Sequence, residues 1–366
     1  MARRCRLTLS VFVSIILEIH LDKNAFARKG ALIEEVKGNM SSIRDVAKHA
    51  HVAPSTVSLV LNNSGYVAEN TRKRVQEAMR ELNYVPNELA RNLYRNKSRL
   101  IGIIVPDVAH PFYGSFIKYA EIAFSRMKYK TMVCSTQQKE NSEVEYVDML
   151  KRQMMDGIIT GVHSLSLEHY DGVKRPILSL DRYINDDIPI VHVNHQKGGE
   201  LAARVLYESG CRRIAHICGS QVVGTPANNY HQAFEAYLQA HGVCVQRVEM
   251  GWNRFSVADF QKAAAEVFDS YPATDGILAP DIGACICLQE AHRRGIAVPQ
   301  ELQLVAYDGT YVTQLTSLPI TAVVQPLEQL AETAARELIQ LIEGKTVERH
   351  EIVLDVTLRQ GQTTRR

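Results

Sequence analysis

The segment Pro54-Ser55-Thr56-Val57-Ser58-Leu59-Val60-Leu61 sets three short hydroxyls among apolar positions at helical spacing. Small hydroxyl side chains let a helix sink into the major groove of DNA and reach base edges or phosphates. Pro54 is a residue type favoured at the first position of a helix, so the helix is expected to start there. Val57, Val60 and Leu61 form its buried face. Upstream, Ile43, Val46, Ala47 and Ala50 share one face of an earlier helix, and His51-Val52-Ala53 makes the turn between the two. The pair reads as a helix-turn-helix. The charge agrees: residues 41–99 hold ten basic against five acidic side chains, or +5. Residues 1–40 add +3, and the chain totals +2, which leaves −6 on residues 100–366. A basic head on an acidic body fits a phosphate-binding module joined to one that does not bind phosphate.

Beyond residue 99, apolar runs rich in β-branched residues recur at 100–105, 130–134, 157–160, 177–180, 190–193, 213–217, 276–279 and 302–306. Amphipathic stretches at 112–129, 143–155, 198–209, 230–241, 260–270, 283–295 and 327–343 separate them. Strand and helix alternating at this spacing predict parallel sheets with helices on both faces. About 265 residues exceed one comfortable core, so two lobes are expected, with a ligand cleft at the C-terminal ends of the strands. A last strand is expected over 352–358, followed by a short polar tail. No phosphate-cradling glycine loop, zinc-protease motif or nucleophile elbow occurs, so neither an enzyme nor a cofactor is expected. Seven cysteines show no metal-ligand spacing and read as buried reduced thiols. His192 and His195 come nearest to a ligand pair but lack a third partner, so no metal is expected.

Residues 41–99 resemble the DNA-binding headpiece of the lac/gal repressor family. The matching words are Asp45-Val46-Ala47-Lys48, Ser55-Thr56-Val57-Ser58, Val60-Leu61-Asn62, Gly65-Tyr66-Val67, Thr71-Arg72, Leu82-Asn83-Tyr84, Pro86-Asn87 and Leu89-Ala90-Arg91. The resemblance implies an all-α helix-turn-helix headpiece over 41–97, with a hinge helix at 87–94, and a two-lobed α/β periplasmic-binding-protein-like core over 98–366. It implies DNA contacts by Pro54, Ser55, Thr56, Ser58, Leu59, Asn62, Tyr66, Arg91 and Leu93, with Leu93 wedging into the minor groove. Eight residues are too few for a helix stable alone in water, so hinge folding should be coupled to DNA. The departures are informative. His51 replaces a turn glycine, Ala53 replaces a capping serine, and Leu59 stands where many members carry an arginine able to grip guanine.

The resemblance also places effector contacts at strand ends: His110, Phe112 and Tyr113 as a stacking wall, and Asp181 and Asp308 as carboxylates for sugar hydroxyls. Tyr230 replaces a pocket arginine, Asp281 follows Pro280 where the family has an asparagine, and Phe255 or Trp252 could add a stacking face. The expected protein is a cytoplasmic homodimeric transcriptional repressor of carbohydrate-utilisation genes, whose affinity for double-stranded operator DNA is switched by a small sugar-like effector. An exported sugar-binding protein of a transporter is the alternative. Residues 1–40 raise it, since a basic start, an apolar 7–17 and Ala25-Phe26-Ala27 resemble a secretory signal. Met40 begins where the headpiece words begin, so residues 1–40 are expected to be an untranslated or disordered extension.

Overall fold

The computed structural model describes residues 41–85, 97–136, 142–162, 166–252, 254–345 and 349–365. The chain divides into two units, residues 1–95 and 96–366. The expected hinge helix at 87–94, with Arg91 and Leu93, lies outside the described residues, as does the extension 1–40.

The first unit holds α1 (Ile43–His49), α2 (Pro54–Asn62) and α3 (Glu69–Glu81). Ser42 and Asp45 form a capping box on α1, each side chain accepting from the other's backbone N–H. Ala53 gives α2 no side-chain cap, and Pro54 opens it. His51 adopts φ 52°, the left-handed conformation that its place in the turn demands. Val46, Val57 and Val75, one from each helix, are fully buried in a single apolar cluster. Each buried valine contributes roughly 1.5–3 kcal/mol, so this small core stands on very few side chains.

The second unit carries two six-stranded sheets. The first orders as β11-β5-β4-β3-β1-β2, all parallel: β1 (Leu100–Val105), β2 (Lys130–Ser135), β3 (Gly157–Thr160), β4 (Ile177–Leu180), β5 (Ile190–Val193) and β11 (Glu351–Leu354). The second orders as β12-β10-β9-β8-β6-β7: β6 (Arg213–Cys218), β7 (Cys244–Glu249), β8 (Gly276–Pro280), β9 (Gln303–Asp308), β10 (Thr321–Val324) and β12 (Thr357–Arg359). Its strands are parallel except β12, which runs antiparallel to β10. Both faces of β3, β4 and β5 are buried, which explains their unbroken apolar sequence.

The helices of this unit, in chain order, are α4 (Pro111–Arg126), α5 (Ser142–Lys151), α6 (His195–Glu208), α7 (Asn228–Ala240), α8 (Val257–Ser270), α9 (Asp281–Arg293) and α10 (Leu327–Ile342). The chain passes between lobes three times: after β5 into α6, after β10 into α10, and between β11 and β12. The last passage corrects the single terminal strand expected over 352–358. Val356 is buried between two short strands that serve opposite sheets. Two elements were absent from the expected strands. β7 is an edge strand, mostly half-exposed and carrying Gln246, Arg247 and Glu249, so it lacks an apolar run, and β10 is a strand of only four residues.

The approach of α6 to α7 depends on one glycine. A Cβ on Gly199 would lie 2.2 Å from the Tyr230 carbonyl oxygen and 2.9 Å from the Phe234 nitrogen. A mid-helix glycine costs about 1 kcal/mol against alanine, a loss accepted here for backbone contact.

Candidate functional site: a two-carboxylate cavity and an exposed headpiece helix

Asp181 follows β4 directly and Asp308 ends β9, one from each lobe, and both have left-handed backbones, φ 56° and φ 103°. Such conformations are strained away from glycine and cluster at ligand sites. Both carboxylates line a cavity of about 150 Å³ together with His110, Phe112, Tyr113, Tyr230 and Phe255. Seven of the eight expected effector residues therefore converge. A cavity of that order accommodates a single six-membered ring.

The aromatic walls pack on one another. Tyr230 stacks on Tyr307 with centroids 3.7 Å apart and planes 12° from parallel. His110 meets Phe255 edge-on at 5.8 Å and tilts against Tyr113 at 5.6 Å. Phe112 meets Tyr113 edge-on at 5.2 Å, and the Tyr113 hydroxyl donates to the Gly161 carbonyl. Burial raises the Tyr113 and Tyr230 phenols, so both stay neutral donors.

Asp181 does not stand alone. His195 Nε2 donates to its Oδ1 at 2.8 Å, and the Tyr307 hydroxyl donates to His195 Nδ1 at 2.8 Å. His195 is thus held in one tautomer, and the chain Tyr307–His195–Asp181 aims the carboxylate. Sequence reasoning weighed His195 only as a metal ligand. Its actual signal was its place as first residue of the helix that crosses lobes. On the other lobe, Gln325 Nε2 donates to Asp308 Oδ1 at 2.8 Å. Burial, together with the charges of Asp281 and Asp181, holds Asp308 well above the usual carboxylate range.

Asp281 departs from expectation. It is absent from the cavity wall, which Pro280 lines instead. Its oxygens accept from the Gly309 and Thr310 backbone N–H groups and from the Thr310 hydroxyl. Burial pushes its carboxyl up to about 6, although all three donors pull the other way. Asp281 anchors the turn that follows Asp308. Asp281→Ala leaves two buried N–H groups unpaired at roughly 1–3 kcal/mol each. The expected result is a melting temperature several degrees lower, read by calorimetry; an unchanged melting temperature would remove this role.

In the headpiece, Pro54, Ser55 and Leu59 are exposed, and Tyr66 is 94% exposed. Thr56 and Ser58 are half-buried. Asn62 donates through Nδ2 to the Ser58 carbonyl and hydroxyl, so these two side chains brace each other within α2. The exposed face of α2 therefore combines an N-terminal hydroxyl with one apolar side chain. Among the described residues, no helix is long and apolar enough to cross a membrane. The free cysteines among them include four that are buried, as expected, while Cys244 is exposed. One of the buried four, Cys218, lies against His216 and His231, which its sequence spacing did not disclose.

A three-helix headpiece with a polar outer helix, preceding a two-lobed core with a ligand-sized cavity between the lobes, defines a ligand-responsive DNA-binding regulator. Residues 42–87 match the family described as bacterial regulatory proteins, lacI family, and residues 203–364 match a periplasmic binding protein-like domain. The chain is 37% identical to the ribose operon repressor of Bacillus subtilis, over 89% of this chain and 99% of that one. It is 35% identical to the sucrose operon repressor of Pediococcus pentosaceus, over 82% of this chain and 92% of that one. A solved complex of the transcriptional regulator CelR with cellobiose superposes with a TM-score of 0.65 at 26% identity, covering 88% of this chain and 99% of that one. The chain belongs to the lacI family of bacterial regulatory proteins. It is a sequence-specific DNA-binding transcriptional regulator, and the exported-protein alternative falls with that finding.

Proposed function

We propose that this regulator is a cytoplasmic homodimeric repressor of sugar-utilisation genes, released from or locked onto its operator by an uncharged sugar. The observation that carries the reading is the cavity itself, where two strand-end carboxylates face aromatic walls. Carboxylates accept hydroxyl protons in strong hydrogen bonds, and flat rings cover the apolar face of a sugar. Arg254 is the one guanidinium on the described wall, against Asp181 and Asp308. That balance disfavours a phosphorylated ligand. The names of the relatives, a ribose and a sucrose operon repressor, and the cellobiose bound to CelR support a sugar without choosing one.

On DNA, α2 enters the major groove, where Pro54, Ser55 and Leu59 face bases while Thr56, Ser58 and Asn62 set the helix and Tyr66 meets the backbone. Arg91 and Leu93 serve the hinge. Two copies then read an approximately palindromic site. Selecting bound sites from random duplexes, then screening neutral and phosphorylated sugars for a change in affinity, tests the proposal; a protein that selects no site, or answers only to phosphorylated sugars, refutes it. Leu59→Arg is expected to move base preference toward guanine by roughly 1–3 kcal/mol, or about five- to 150-fold, at one position of each half-site. An identical selected sequence would take Leu59 out of the readout.

A further inference from the structure

His216 and Cys218 alternate along β6 and so share one face, where His231 on α7 meets them. One ligand-capable atom from each lies within 4.8 Å of the others, and all three residues are buried. His231 Nδ1 and His216 Nε2 face each other at 3.0 Å. His216 Nδ1 is turned the other way, to the Glu235 carboxylate at 3.0 Å. This is the carboxylate–histidine arrangement that orients an imidazole ligand and raises its basicity. Arg247 Nε donates to Cys218 Sγ at 3.2 Å and pulls toward the thiolate, while burial, the larger effect, pushes the thiol up to about 11, so a bound cation must itself displace the thiol proton. Of the three, His231 also lines the sugar cavity, so the trio lies next to that space.

We propose that His216, Cys218 and His231 form a binding site for a thiophilic divalent cation of the zinc class, on the wall of the effector cavity. Imidazole nitrogen and cysteine thiolate are both zinc ligands, and zinc sites with three protein ligands complete the tetrahedron with water or substrate. Two imidazole nitrogens on one tetrahedral zinc stand about 3.3 Å apart at the usual Zn–N length, close to the spacing seen here. The sulfur needs to approach by up to about an ångström to reach zinc-ligand spacing. Coordination forms bonds from His216 Nε2, His231 Nδ1 and Cys218 Sγ. The thiol proton leaves to solvent, and His231 carries its ring proton on Nε2 instead of Nδ1.

The other three-residue cluster, Asp181, His192 and His195, does not compete. His192 spends its nitrogens on the Val193 carbonyl and Glu351, and His195 spends both of its own on Asp181 and Tyr307. The inference is independent of which sugar binds.

The test uses the full chain, cleared of metal by a chelator and titrated with Co(II) and then Zn(II). One equivalent of Co(II) should bind with tetrahedral visible bands and an intense thiolate charge-transfer band, and Zn(II) should displace it. Cys218→Ser should abolish the charge-transfer band, and His231→Gln should weaken Zn(II) at least a hundredfold, with circular dichroism unchanged in both. Glu235→Gln, which spares the ligands, should weaken Zn(II) by roughly ten- to a hundredfold. A wild-type chain that shows no saturable thiolate band, or a band that survives in Cys218→Ser, overturns the proposal.

Discussion

Gly199→Ala is expected to lower the melting temperature of the core by up to about 10 °C and to weaken sugar binding at least tenfold. The new methyl would sit 2.2 Å from a carbonyl oxygen on α7, and backbone cannot swing aside as a side-chain tip can. Relief requires α7 to back away by more than an ångström. Overpacking of this kind costs about 1–3 kcal/mol or more, at roughly 2–4 °C per kcal/mol in a domain of this size. The retreating turn carries Tyr230 and His231, both on the cavity wall, so stability and affinity should fall together. Gly224→Ala is the matched control, because nothing lies within 4 Å of its added carbon. If both variants melt with the wild type, the close approach of α6 and α7 has been misjudged.

Asp181→Ala should raise the sugar concentration that half-changes operator affinity by at least a hundredfold, while leaving operator affinity without sugar within about threefold. A carboxylate gripping two hydroxyls contributes roughly 1.5–3 kcal/mol for each bond. The variant also strips His195 Nε2 of its acceptor, loosening the group that aims the site. Asp181→Asn keeps one acceptor and should fall between the two. Fluorescence anisotropy on labelled operator, with and without sugar, reads both quantities in one titration. An unmoved half-point would exclude Asp181 from the grip.

The architecture was legible where burial is uniform. Central strands such as 157–160 and 177–180 are covered on both faces, so they spell themselves as apolar runs. Strand 244–249 escaped because it lies half-exposed at a sheet edge, and 321–324 escaped inside its sheet because it is only four residues long. The edge strands 351–354 and 357–359 read as one strand over 352–358. The Ser42–Asp45 capping box carries a local signature, a serine three residues before an acid at the start of an apolar run. At the cavity, the wall residues emerged because the family pattern ties them to strand ends. Asp281 shows the limit of that pattern. Placed one residue beyond the strand as the first residue of α9, it turns toward the backbone of the 309–310 turn, a choice set by three-dimensional donors no linear motif records. The metal-capable trio illustrates the same limit, since its third member is supplied by a helix thirteen positions downstream of Cys218.

Because 351–354 complete one sheet and 357–359 the other, each lobe keeps a bare flank until residues 351–359 have been made. Thr363 then ties in by donating to the Leu304 carbonyl and accepting from the Thr321 N–H. A chain cut at residue 350 would therefore lack one edge strand in each sheet, so both lobes should lose stability together. The nascent chain, meanwhile, must be shielded from pairing those flanks with a neighbour.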